Sequence, residues 1–116
     1  MAIVQGQCTI FKKNCLSALE NFAVGTSYVY KIALYTSLAD LNANTVAYTS
    51  TGEITGTGYT ATGKPLTISQ VPTYDAANDT AYIDFADVTW TSSTITARGA
   101  LIYNSSKSNK AVAVLD

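Results

Sequence analysis

TITARGALIY, running from Thr94 to Tyr103, is the stretch on which the fold turns. In an extended chain Ile95, Ala97, Gly99, Leu101 and Tyr103 share one face, and Thr96, Arg98, Ala100 and Ile102 share the other. Both faces are largely apolar or small, which predicts a central strand covered on both sides rather than a half-wet one. Trp90, the one tryptophan, lies just upstream and is expected to cover an edge of the core. Arg98 is the only arginine and falls inside this apolar run. Its guanidinium needs a carboxylate, carbonyls or a route to the surface, and Asp84 and Asp87 are the expected partners in a structural ion pair.

Downstream, Asn104 to Asn109 reads as a polar turn and Lys110 to Leu115 as a short apolar strand, which makes a hairpin with residues 97–103. A strand at that position is stable inside a sheet or under a neighbouring subunit, whereas an exposed flat edge invites pairing with another chain. Upstream, Thr80 to Phe85 alternates Ala81, Ile83 and Phe85 against Tyr82 and Asp84. The turn Asp75 to Asp79 joins it to a strand over Leu66 to Val71, which Pro72 confines to an edge or an end. Tyr28 to Thr36 is a further strand, whose Tyr28, Tyr30, Ile32 and Leu34 face is expected to meet a helix.

That helix is predicted over residues 7–22, where Cys8, Phe11, Cys15, Leu19 and Phe22 recur at helical spacing opposite Lys12, Lys13, Asn14, Ser17 and Glu20. Gly25 offers a stop. Between the strands, Ser50 to Lys64 intersperses Gly52, Gly56, Gly58 and Gly63 among threonines, and reads as a long turn. A phosphate-cradling loop would need the lysine and hydroxyl arrangement that this stretch lacks. A loop that contacts a partner through Tyr59 is the functional alternative. The resulting expectation is a single α+β domain over residues 1–116. Its antiparallel sheet, sandwich or barrel-like core has about five to seven strands, with one N-terminal amphipathic helix.

Composition narrows the chemistry. Seven bases and eight acids leave a formal charge of −1, with the bases scattered, so no stripe is available for nucleic acid. No apolar run approaches bilayer length and no secretion signal is visible, so no membrane partner is expected. The absence of histidine removes the usual imidazole bases and most zinc sites. Cys8 and Cys15, on one helix face about 10 Å apart, are expected to be buried free thiols rather than a disulfide. Asp75, Asp79, Asp84 and Asp87 do not match a calcium loop, and turn capping explains the first two. No catalytic residue, cofactor, metal or small-molecule substrate is expected.

Phe11 and Lys12, KIALYTS at Lys31 to Ser37, GEITGTGY at Gly52 to Tyr59, ITARGALIYNS at Ile95 to Ser105 and AVAVLD at Ala111 to Asp116 carry a resemblance over nearly the whole chain. The chain resembles a family of small structural proteins of tailed bacteriophage virions. Members of that family continue past the position of Asp116 with a glycine-containing turn and another strand. That leaves completion of the last strand open between this chain and another subunit. The resemblance implies a non-enzymatic virion component, made in the host cytoplasm, and most concretely a capsid decoration or cement protein. Its partners would be other copies of itself and a major capsid protein or neighbouring virion protein. A tail or head-tail connector component, or a receptor- or glycan-binding module using Tyr59, Tyr74 and Tyr82, are the alternatives. The expected assembly contacts are Ile3, Val4, Gly52, Gly56, Tyr59, Gly63, Val112 and Val114.

Overall fold

The computed structural model describes residues 2–116. In chain order it contains β1 (Gly6–Gln7), α1 (Thr9–Leu16), β2 (Tyr30–Tyr35), β3 (Lys64–Pro65), β4 (Ile68–Asp75), a short 3-10 turn (Ala76–Asn78), β5 (Thr80–Phe85), β6 (Gly99–Asn104) and β7 (Lys110–Leu115). All strand pairings are antiparallel. Five strands form one sheet in the order β1-β7-β6-β2-β3, while β4 and β5 pair only with each other. The fold is therefore α+β with seven strands in two sheets, and the sheets do not close into a barrel.

Register divides the large sheet into two unlike faces. Ala33 opposes Leu101, Leu101 opposes Val114 and Tyr103 opposes Ala111, and this face is closed by Ile3, Cys8, Ala39 and Leu41. The core therefore lies under the face of β2 that bears Ala33 and Tyr35, both fully buried. On the opposite face Tyr30, Ala100 and Asn104 are buried, while Ile32, Leu34 and Ile102 are only half-buried. On it Phe22 stacks on Tyr30 at 4.4 Å, and Phe85 of the small hairpin approaches Tyr30 at 6.2 Å. The expected meeting of the Tyr30 face with the N-terminal segment is made by Phe22, beyond the end of the helix.

Several expectations are corrected. The helix spans eight residues rather than 7–22. Ala18 adopts a left-handed φ of 57°, Leu19 N–H donates to the Asn14 carbonyl at 2.9 Å, and Ala18 N–H donates to that of Cys15 at 3.2 Å. This double bond pattern terminates a helix whatever the side-chain periodicity beyond it. Asn14, expected on the polar arc, is buried, whereas Cys15 is exposed; both cysteines are free and Cys8 alone lies in the core.

The pivotal strand is also shorter than its alternation suggests. Residues 94–98 leave the ladder: Thr94 bridges Thr57, and Arg98 N–H donates to the Tyr35 carbonyl at 2.8 Å before β6 begins at Gly99. Of the two arrangements expected for the last strand, β7 takes the interior one, because β1 pairs along its far side through Gly6 and Val114. Conversely β4 is longer than expected, running through Pro72 to Asp75, with the proline at a register irregularity of a free edge.

Candidate functional site

Two features converge polar or apolar groups in a way the sequence does not display. The first is a carboxyl hub in the glycine-rich segment. Glu53 is placed by an antiparallel bridge to Tyr35 and by Ile54 N–H, which donates to the Leu34 carbonyl at 3.0 Å. Its Oε1 accepts from the Tyr48 hydroxyl at 2.5 Å. Its Oε2 accepts from the Tyr59 hydroxyl at 2.6 Å and Thr62 N–H at 2.8 Å. Tyr59 in turn accepts from Leu34 N–H, and Tyr103 donates to the Thr62 carbonyl at 2.6 Å. Burial, with the neighbouring carboxyl as acceptor and negative charge, pushes the Tyr48 hydroxyl up to about 12 and raises Tyr59 further. Both carboxyl oxygens are taken by protein donors, so Glu53 ties the loop to the sheet and is not poised as a base.

The glycines of this segment serve the same closure. At Gly63, φ is +80° and an added Cβ would stand 1.8 Å from the Ile32 carbonyl oxygen; at Gly52, φ is +79° and it would stand 2.7 Å from the Ala39 Cα. Only glycine allows the loop backbone this close to the sheet. Tyr59 is half-buried and stacks on Trp90 at 6.1 Å, and Lys64 Nζ lies 5.4 Å from the indole centroid. Trp90, half-buried, thus flanks the glycine-rich loop.

The second feature is an apolar cleft of about 490 Å3 between the half-buried face of the large sheet and the β4–β5 hairpin. Ile102, Val112 and Ala113 line it from the sheet, Phe11 and Phe22 from the N-terminal segment, and Pro72, Tyr82 and Phe85 from the hairpin. No residue of β4 or β5 is buried, and both strands have an outer edge with no backbone partner in the sheet order. Val71, Tyr74 and Tyr82 are exposed on it, Tyr74 by 79%. Four of the eight acids, Asp75, Asp79, Asp84 and Asp87, lie on or next to this hairpin. Asp75 accepts from Asn78 Nδ2 and Ala77 N–H, which holds it below the usual carboxylate range and caps the turn, as expected.

The expected site residues scatter over these features. Ile3 and Val114 are in the core and Val112 is on the cleft floor, all withdrawn from the outer surface because β1 and the Ile3–Leu41 bridge cover them. Val4 and Gly56 are exposed, while Gly52, Tyr59 and Gly63 are half-buried in the closed loop. The ion pair expected between Arg98 and Asp84 or Asp87 is replaced by one with Asp116, Nε to Oδ1 at 3.1 Å. The reason is register: Ala100 opposes Leu115, which puts residues 98 and 116 side by side at the sheet end. Both side chains are about two-fifths exposed, at 44% and 39%, so the pair is a surface clamp.

Among the described residues, no group of three or more Cys, Asp or Glu could hold a metal ion, and no helix is long and apolar enough to cross a membrane. Comparison with protein-family models, with curated proteins and with solved structures found no match.

Proposed function

We propose that the protein is a non-enzymatic structural subunit of a bacteriophage virion, most concretely a capsid decoration or cement protein that stabilises the shell. The sequence resemblance supplies the virion context. The observation that carries a structural role is the β4–β5 hairpin, a two-stranded element with two open edges, exposed tyrosines and no buried residue. Two-stranded hairpins are marginal in isolation and gain order when an edge or face is covered. Many copies, each making modest contacts with a major capsid protein and with one another, hold a shell because each bound site raises the local concentration for the next.

A glycan- or receptor-binding module is the second reading, favoured by the exposed Tyr74 and Tyr82 on the same hairpin. Cryo-electron microscopy of intact particles, with a copy count, tests the proposal. Hundreds of copies over the shell are expected. Six or twelve at one vertex would make it a tail or connector component, and absence from particles together with saccharide binding by the isolated chain would favour the second reading.

A further inference from the structure

The hairpin and the end of α1 carry opposite charge on similar apolar surfaces. Residues 65–97 hold Asp75, Asp79, Asp84 and Asp87 and no base, whereas the rest of the chain holds all seven bases against Glu20, Asp40, Glu53 and Asp116. Of the acids outside the hairpin, Glu20 and Glu53 accept from tyrosine hydroxyls and Asp116 is paired with Arg98. On the hairpin, exposed Tyr74 and Tyr82 lie near exposed Asp79 and Asp84, while Val71 shares a second cleft with Val24 of the same chain. On α1 and just beyond it, exposed Leu16 and Leu19 follow exposed Lys12 and Lys13. Leu16, the last residue of α1, is 91% exposed. Among the described residues Arg98–Asp116 is the one ion pair, so neither charged set is neutralised inside the chain.

We infer that the β4–β5 hairpin is an arm that docks on the α1 end of a second copy of this chain, in a head-to-tail contact. An edge-to-edge meeting of two hairpins would bring Asp84 and its neighbours against like charge, which disfavours that symmetric alternative. Within one chain the hairpin and α1 already share the cleft through Phe11, Cys15 and Tyr82, and no ion pair joins Lys12 or Lys13 to the hairpin acids, which leaves both charged sets for a second copy. A head-to-tail contact leaves an open chain of copies with one free arm at one end and one free helix end at the other until a ring closes. The inference deepens the structural-subunit reading by naming the self-contact, and it can fail separately from it.

Sedimentation of the full chain provides the test. The wild type is expected to self-associate reversibly and to weaken as salt is added. Lys12→Glu with Lys13→Glu, and Asp84→Lys with Asp87→Lys, all at exposed positions, should each weaken association at least about tenfold while leaving the thermal transition in place. An equimolar mixture of the two variants should associate again, because one keeps the native arm and the other the native helix end. Three results would overturn the inference: a wild type monomeric at millimolar concentration, association that depends on the hairpin acids but ignores the lysines, or charge effects that appear without any change in mass. None of these bears on whether the protein is found in particles.

Discussion

Glu53 shows how much one side chain organises at the residue scale. Three donors converge on its two oxygens, and two of them are hydroxyls of tyrosines that flank the core. The tyrosines set a pH dependence whose sign is fixed. Tyr30, Tyr35, Tyr48 and Tyr59 all titrate above their ordinary value of 10.0, chiefly through burial. The unfolded chain therefore loses these protons before the folded one does. Their stabilisation is complete below about pH 10 and is lost as pH rises toward and past 12. Urea midpoints measured alongside tyrosinate absorbance should be flat near neutrality and fall steeply above about pH 10. A midpoint unchanged at about pH 11 would contradict the buried-hydroxyl network.

Gly63→Ala is a second residue-scale probe. The left-handed φ and the collision with the Ile32 carbonyl together should cost about 3 kcal/mol, read as a lowered urea midpoint. A loss below about 0.5 kcal/mol would mean that the loop does not lie against β2 as described. Little of this scale was legible in the sequence. Glycines 52, 56, 58 and 63 announce a turn, but the close approaches of Gly52 to Ala39, Gly63 to Ile32, Gly56 to Thr94 and Gly58 to Ser93 join segments far apart in the chain. Glu53 passed unnoticed for the same reason. A lone acid between Tyr48 and Tyr59 was the available signal, and a hydroxyl has no preferred sequence distance from its acceptor.

At the scale of elements, the hairpins were readable and the boundaries were not. β2, β5 and β7 fall within the expected strands because branched and aromatic residues alternate there against turn-forming neighbours. Residues 94–98 alternate equally well but leave the ladder, since their backbone is taken by Thr57 and Tyr35. Helical spacing likewise ran on to Phe22 although Ala18 ends α1. Periodicity reports which residues seek burial, and competing backbone hydrogen bonds decide where an element stops.

The β4–β5 hairpin is nearly independent of the rest. Ala86 N–H donates to the Thr67 carbonyl at 2.8 Å, so the chain enters and leaves the hairpin at neighbouring points. Replacing residues 68–85 by a tight Asn-Gly turn should leave the five-stranded sheet folded, with a loss of about 2 kcal/mol as Phe22 and Tyr30 lose Phe85. Circular dichroism during denaturation checks it. Loss of the cooperative transition would show that the hairpin is part of the core.

Over the whole molecule, one side is closed and the other unfinished. The core face of the large sheet is sealed by the N-terminal arm and the Glu53 loop, whereas the opposite face keeps an open apolar cleft beneath an acidic hairpin. The charge split between hairpin and body was present in the sequence, masked by a net charge of −1. Its significance emerges once the acids are placed on one projecting element. If the chain is the proposed structural subunit, its hairpin gains its final order from the assembly it enters.

Amide hydrogen exchange over residues 68–85, compared between the isolated chain and particles carrying it, tests that claim most directly. Fast exchange relative to β6 in the free chain, slowing at least about tenfold in the particle, is the predicted result. Equal exchange in both states, or protection in the free chain matching that of β6, would contradict it.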